Sequence, residues 1–191
     1  MFSEKLKIDV NPELYLRSVE LSDAGKLFEL ISRNTDHLRR FLPSVAAIDS
    51  MLAVRAHIRD VRKKSRRSEL LEFHIIYRKQ LCGALRLNYF EPHNHKISIG
   101  YFLDKELQGR GIITNSARAV INYCFDELGL NRIELRVDTC NYASIAVAER
   151  LGFRREGELI QAELIDQVFV DHYIYCLLRG ERHKLIPALD V

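Results

Sequence analysis

The sequence predicts an α/β architecture: a mixed, mostly antiparallel sheet with helices on its flanks. Three observations predict it. Apolar residues recur at helical spacing through much of the first third of the chain, then change period after residue 70. Residues 70–77, 81–90 and 97–103 are rich in β-branched and aromatic residues and are separated by turn-forming stretches, the pattern of an antiparallel meander. A single long helical segment then separates the run at 97–103 from the strand-like RIELRVD at 132–138, which is the place for a parallel crossover and a topological switch.

The elements follow in order. Residues 13–19 (ELYLRSV) alternate like a strand, and Ser22 and Asp23 are suited to cap the helical run DAGKLFELISRN, whose Leu27, Phe28, Leu30 and Ile31 share a face. DHLRRFL makes a short helix that stops at Pro43, and residues 50–64 repeat Leu52, Val54, Ala56, Ile58 and Val61 at helical spacing. Arg78 to Gln80 and Glu91 to Asn94 connect the three meander strands. A helix is expected from Ile112 to Leu128 with Gly129 at its C-terminal cap, then a strand at 132–138, a helix at 142–151 and strands at 153–160 and 168–178, with a loop around 161–170.

Length and composition bound the rest. The 191 residues suit one domain, expected over 1–184, with LIPALDV at 185–191 as a loose tail. Hydrophobic residues at 47% and charged residues at 29% exclude a disordered or fibrous chain. No apolar run approaches the ~20 residues of a membrane span, and the N-terminal residues lack the apolar block of a signal peptide. The expectation is therefore a cytoplasmic protein with no membrane partner. Cys82, Cys124 and Cys176 sit singly among apolar neighbours, as reduced core cysteines do, and Cys140 stands apart without a CxxC partner. His93 and His95 read as turn residues, and no metal site is expected. A net charge of +3 does not point to direct nucleic-acid binding; the run at 62–67 reads as a solvated helix end or as a patch for an acidic partner.

Chemistry enters at Gln108-Gly109-Arg110-Gly111-Ile112-Ile113-Thr114, between a predicted strand and the predicted long helix. Two glycines permit a tight turn, and the first turn of a helix presents unpaired N–H groups and the positive end of its dipole to an anion. No GK[ST] follows and GxGxxG is absent, so neither of those nucleotide motifs applies. Alone this is a commonplace glycine turn. A second segment changes its meaning: Asn141-Tyr142-Ala143-Ser144 begins 33 residues after Gln108 and leads into Leu151-Gly152-Phe153.

Together the two segments resemble the GNAT superfamily of acyl-CoA-dependent N-acetyltransferases, whose Q/R-x-x-G-x-G/A signature Gln108, Gly111 and Ile113 follow, with Ile113 in place of the usual small residue. Within it the chain looks most like the Rim-type ribosomal-protein N-terminal (serine/alanine) acetyltransferases. Asn34, the stretch His37 to Pro43, the wording GRGIIT, and Gln161-Ala162-Glu163 placed so that Glu163 falls 19 residues beyond Ser144 carry that likeness.

The resemblance implies a GNAT fold with a central parallel pair of strands that splay apart. Acetyl-CoA, the acyl donor, would lie in the V-shaped gap, with backbone groups of Phe102 and Leu103 along its pantetheine arm. The amides from Gln108 to Thr114 would hold its pyrophosphate, with Arg110 as an extra cation and Asn141 on the pantetheine arm. Asn141 is also a favoured helix cap in its own right. The family match makes Glu163 the base, directly or through water, and Ser144 the acid for the leaving thiolate. Tyr173 and Tyr175 are reserve acids or packing aromatics, and partial burial of Glu163 would suit its role. Asp171 and His172, adjacent on a strand, face opposite sides and do not form a pair.

The reaction implied is direct attack of a primary amine on the thioester in a ternary complex. An α-amine of pKa about 7.7–8.0 is some 10–15% neutral at pH 7, whereas a lysine at about 10.4 is neutral to well under 0.1%. A modest base therefore favours a protein N-terminus, a ribosomal protein's by the Rim-type likeness. A small-molecule amine (antibiotic, amino acid or polyamine) is the alternative acceptor, and a non-catalytic acyl-CoA-binding module the alternative class. The same likeness admits a homodimer.

Overall fold

The computed structural model describes residues 5–184. β1 (Lys7–Asn11) and β2 (Leu14–Ser18) form a hairpin, followed by α1 (Ala24–Arg33), α2 (Thr35–Arg39), α3 (Pro43–Ala46) and α4 (Met51–Arg66). The meander β3 (Leu71–Tyr77), β4 (Gln80–Glu91) and β5 (Lys96–Leu103) leads to α5 (Ile112–Asp126), β6 (Arg132–Asp138), α6 (Tyr142–Arg150) and a final hairpin, β7 (Arg154–Ile165) with β8 (Val168–Leu178). All eight strands join one sheet in the order β1-β2-β3-β4-β5-β6-β8-β7, and every neighbouring pair is antiparallel except β5 and β6. The expected tail at 185–191 lies outside the described residues.

Two apolar layers sandwich this sheet. On one face α5 and α6 pack Ile112, Ile113, Ala117, Val120, Phe125, Ala148 and Leu151 against Phe73, Leu85, Ile97 and Leu135. On the other, α1 to α4 bury Leu27, Leu30, Leu38, Val54 and Ile58 against Ile76 and Leu81. Local signals place the helices: Ser50 caps α4 by accepting the Ala53 N–H at 3.2 Å, and Pro43 opens α3 rather than ending a helix, its fixed φ suiting a first turn. Lys63, Lys64 and Arg66 fall in the last turn of α4, where cations complement the dipole.

Four further expectations are corrected. β1 was not foreseen, although Ile8 and Val10 alternate with polar residues; its half-exposed edge position leaves only a weak pattern. Ser22 and Asp23 do not cap α1. Asp23 lies in a preceding 3-10 turn and its buried carboxylate accepts from the Glu20 N–H (3.1 Å) and from Arg17. The helix expected to reach Leu128 ends at Asp126, with Gly129 at φ +64 beyond it. The loop around 161–170 is instead a long hairpin, closed by Asp166 and Gln167 with φ +47 and +68, the left-handed pair of a tight two-residue turn.

The cysteine reading holds: Cys82, Cys124 and Cys176 are buried and unbridged, and burial pushes the Cys82 thiol up to about 12 and Cys176 to about 11. Those thiols are poor nucleophiles at neutral pH.

Between the sheet and α1–α4 runs a stripe of charge. Arg17 neighbours His74 and Glu72 neighbours Arg86 in the strand register, so all four share a face. Asp23 accepts from Arg17 at 2.5 and 2.8 Å and lies 2.8 Å from His74 Nδ1; Glu72 accepts from Arg86 Nε at 2.6 Å and lies 3.3 Å from His57. Burial acts most strongly on Glu72 and would raise its pKa, but the hydrogen bond with His57 and the charge of Arg86 outweigh it and hold the group at about 2. Asp23 is likewise held well below its ordinary value by His74 and Arg17 against its own burial. Both folded-state values lie below the unfolded ones, so this stabilisation is complete above the ordinary glutamate pKa of 4.5 and is lost as pH falls toward about 2. Denaturant midpoints should fall across that window, and a Glu72→Gln variant should show a shallower fall.

Candidate active site

The site begins where the sheet comes apart. β5 and β6 are in register only at Lys96↔Arg132, Ile97↔Ile133 and Ser98↔Glu134. Beyond Ser98, β5 stays paired with β4 as far as Leu103 and β6 stays with β8 as far as Asp138, so each follows its outer neighbour and a V-shaped gap opens between them. The inner edge of β5 thus offers backbone groups with no strand partner beside Phe102 and Leu103. The end of β5 is pressed hard onto β4: a Cβ added to Gly83 would stand 2.3 Å from the Phe102 carbonyl oxygen. No side chain but glycine's fits that approach.

The connection to α5 is anchored at its base. The Asp104 N–H donates to Cys82 O at 2.8 Å, and its carboxylate accepts from Arg33 at 3.0 and 2.5 Å and from Asn34 Nδ2 at 3.1 Å. Asn34 Oδ1 in turn accepts the Lys105 N–H at 2.9 Å, and Gln108 Nε2 lies 3.0 Å from His37 Nε2. Gly109 and Gly111 then take φ +75 and +69, and a Cβ at Gly109 would meet nothing within 4 Å. Gly111 is the last residue before α5, and no side chain caps that helix, so its first-turn N–H groups have no side-chain acceptor at the cap.

The larger residue at 113 does not obstruct this mouth. Ile113 is 8% exposed and packs into the core between α5 and the sheet, leaving only its backbone toward the loop. Ile112 is buried in the same way. Thr114 accepts a hydrogen bond from Arg150 Nη1 at 3.1 Å, so a second cation from α6 stands at the mouth besides the exposed Arg110. Sequence reasoning missed Arg150, because nothing local ties a residue at the end of one helix to the start of another.

At the head of α6, Asn141 Oδ1 accepts the Ser144 N–H at 3.1 Å, so the capping role is real. Ser144 is half-buried, and its carbonyl accepts from the Tyr101 hydroxyl at 3.5 Å, tying α6 to β5. Burial raises the Tyr101 pKa, so that phenol stays protonated. Tyr173 and Tyr175 pack edge to face at 6.4 Å on the α6 side; Tyr175 is 2% exposed, and Arg155 covers the Tyr173 ring at 4.5 Å. They serve as packing aromatics.

Glu163 sits on the opposite face of the sheet, the side of α1–α4, because β8 alternates and Tyr173 and Tyr175 belong to the α6 face. Its side chain is 44% exposed, so the partial burial expected for it is not supplied by this chain. Its Oε2 lies 3.3 Å from His172 Nε2. Asp171 does not join them. Its carboxylate accepts the Gln161 N–H at 2.7 Å within an irregular stretch of β7 where Gln161 has φ +53. Among the described residues, no group of three His, Cys, Asp or Glu side chains is placed to hold a metal ion, and no helix is long and apolar enough to cross a membrane.

A splayed parallel pair running into an uncapped, glycine-led helix is the architecture of an acyl-CoA site, and residues 13–154 match the acetyltransferase (GNAT) domain family. The chain belongs to that family: it is an acetyltransferase, and its acetyl donor is acetyl-CoA. It is 35% identical over 173 residues to the putative ribosomal N-acetyltransferase YdaF of Bacillus subtilis (strain 168), a match spanning 90% of this chain and 94% of that one. It is 30% identical over 168 residues to the ribosomal-protein-serine acetyltransferase of Escherichia coli (strain K12), covering 88% and 94%. A solved ribosomal L7/L12 alpha-N-protein acetyltransferase, RimL, in complex with coenzyme A superposes with a TM-score of 0.88 at 28% identity, over 92% of this chain and 99% of that one. Within the family the chain is of this Rim type.

Proposed function

We propose that the protein acetylates the N-terminal α-amine of a ribosomal protein in the cytoplasm. The similarity to ribosomal-protein acetyltransferases supports the acceptor class. The reading of the chemistry rests on the carboxylate of Glu163, which the family match makes the base and which stands exposed on the final hairpin with its Oε2 3.3 Å from His172 Nε2. An exposed carboxylate suits an amine that is already partly neutral at pH 7 and does not suit a lysine.

The amine nitrogen attacks the thioester carbonyl, its surplus proton passes to Glu163 directly or through one water, the C–S bond of the tetrahedral intermediate breaks, and the departing sulfur takes a proton from Ser144; solvent then carries the proton from Glu163 back to Ser144. Backbone N–H groups on the inner edge of β5 hold the carbonyl oxygen as it gains charge. Gln108 to Thr114, with Arg110, hold the pyrophosphate, while Phe102, Leu103 and Asn141 align the pantetheine arm.

The test is incubation with labelled acetyl-CoA and a panel of ribosomal proteins, their N-terminal peptides and small amines. Label should appear on α-amines and vanish when the N-terminus is blocked. Label confined to small amines or to lysine side chains would overturn this acceptor.

A further inference from the structure

We propose that His172 is a positioning residue for the base: its imidazole holds Oε2 of Glu163 and so turns Oε1 toward the acceptor amine. This rests on the reading of Glu163 as the base and adds to it a residue that fixes where the base points.

The geometry of the final hairpin builds the pair. Between the partners Leu159↔His172 and Glu163↔Val170, β7 advances four residues while β8 advances two. The extra length is taken up as an irregularity, pinned where the Gln161 N–H donates to Asp171 Oδ1 at 2.7 Å. Because of it Glu163 lands diagonally across from His172 on the same face, within reach of a long side chain. Asp171 and His172 thus divide one task. The first clamps the backbone of β7 from one side of the sheet, and the second takes the glutamate side chain on the other.

The two partners differ in freedom. The His172 side chain is 14% exposed and lies in the sheet between β6 and β7, where the residue opposite it on β6 is Asp138. That aspartate is occupied, since its Oδ1 accepts the Cys140 N–H at 2.6 Å. Glu163, at 44% exposure, would otherwise sample several rotamers, and ordering such a side chain costs up to about 2 kcal/mol. A fixed imidazole supplies that order in advance. With Nε2 carrying the hydrogen, a small turn of the imidazole from its present 3.3 Å contact lets His172 donate to Oε2. The proton from the amine is received on Oε1, and no bond to the histidine has to break.

The enzyme is assayed with acetyl-CoA and an N-terminal peptide acceptor as the His172→Ala, His172→Gln, Glu163→Gln and doubly substituted (Glu163→Gln with His172→Ala) forms. His172→Ala should lose about tenfold in kcat, the scale of one charge-assisted hydrogen bond, with the acetyl-CoA KM unchanged. His172→Gln, whose carboxamide N–H can reach the same oxygen, should recover most of the loss. The double variant should be no slower than Glu163→Gln alone. If His172→Ala does not fold, His172→Leu fills its place without a donor. Full turnover in a donor-less variant, a multiplicative loss in the double variant, or no rescue by glutamine would each overturn the inference. Full turnover in Glu163→Gln would instead overturn the base assignment beneath it.

Discussion

Glu163→Gln should lower kcat by about 10²–10³-fold, within the range that general acid–base groups contribute, while the KM for acetyl-CoA stays near its wild-type value. The substitution keeps the size and shape of the side chain, while it removes the negative charge and the ability to take a proton. Glu163 stands exposed on the final hairpin, a different segment from the loop at 108–114 proposed to receive the pyrophosphate, so stability and donor binding should change little. Initial rates against both substrates, beside a thermal melt, separate these quantities. A fall in donor affinity equal to the fall in rate would make Glu163 a binding residue. An unchanged rate would place the base elsewhere. The loss should also be smaller for acceptors of lower amine pKa, because those need less help in shedding a proton.

Gly83→Ala should injure the enzyme from a position with no chemical group at all. The new methyl would stand 2.3 Å from the Phe102 carbonyl oxygen and 3.2 Å from Leu103 Cα, both backbone atoms that no rotamer change can move aside. β5 must shift away from β4, at a cost of about 1–3 kcal/mol typical of forced overpacking. The shift falls on Phe102 and Leu103, the two residues proposed to line the donor arm. Since misplacement of order 1 Å in a positioned site costs up to about 10²-fold, the acetyl-CoA KM should rise about tenfold while the intrinsic preference among acceptors is kept. Gly25→Ala is the contrast: that glycine lies in α1 with nothing within 4 Å of an added Cβ, so the exchange should be neutral or slightly stabilising. Denaturant unfolding and donor titration distinguish the two.

Much of this architecture was legible because the sequence speaks in short range. The meander strands, α4 with Ser50 at its head and α5 after its glycines are all set by periodicity and by caps lying within four residues. The Arg78–Lys79 turn was legible too, although both residues take φ above +45°, a conformation that nothing in their chemistry advertises. What stayed hidden was long-range. Asp23 looks like a cap and becomes a buried counter-ion only because Arg17 and His74 converge on it from two strands. Arg150 reaches Thr114 across 36 positions, and no pattern of spacing announces it. His172 cannot pair with its neighbour Asp171, as alternation requires, yet the slip in β7 gives it Glu163 instead. An irregularity in register is invisible to any argument from alternation. The family likeness supplied the position of Glu163 but not the neighbour that holds it.

The bridge from Arg33 and Asn34 to Asp104 and Lys105 joins stretches of chain some 70 positions apart, and it sets terms for anyone who would rebuild this enzyme. A chimaera that borrows its opening helices from another acetyltransferase, in order to redirect it to a new acceptor, would also be replacing the bolts that fasten the proposed diphosphate cradle. Such a graft keeps its hold on coenzyme A only if the arginine–asparagine pair travels with it.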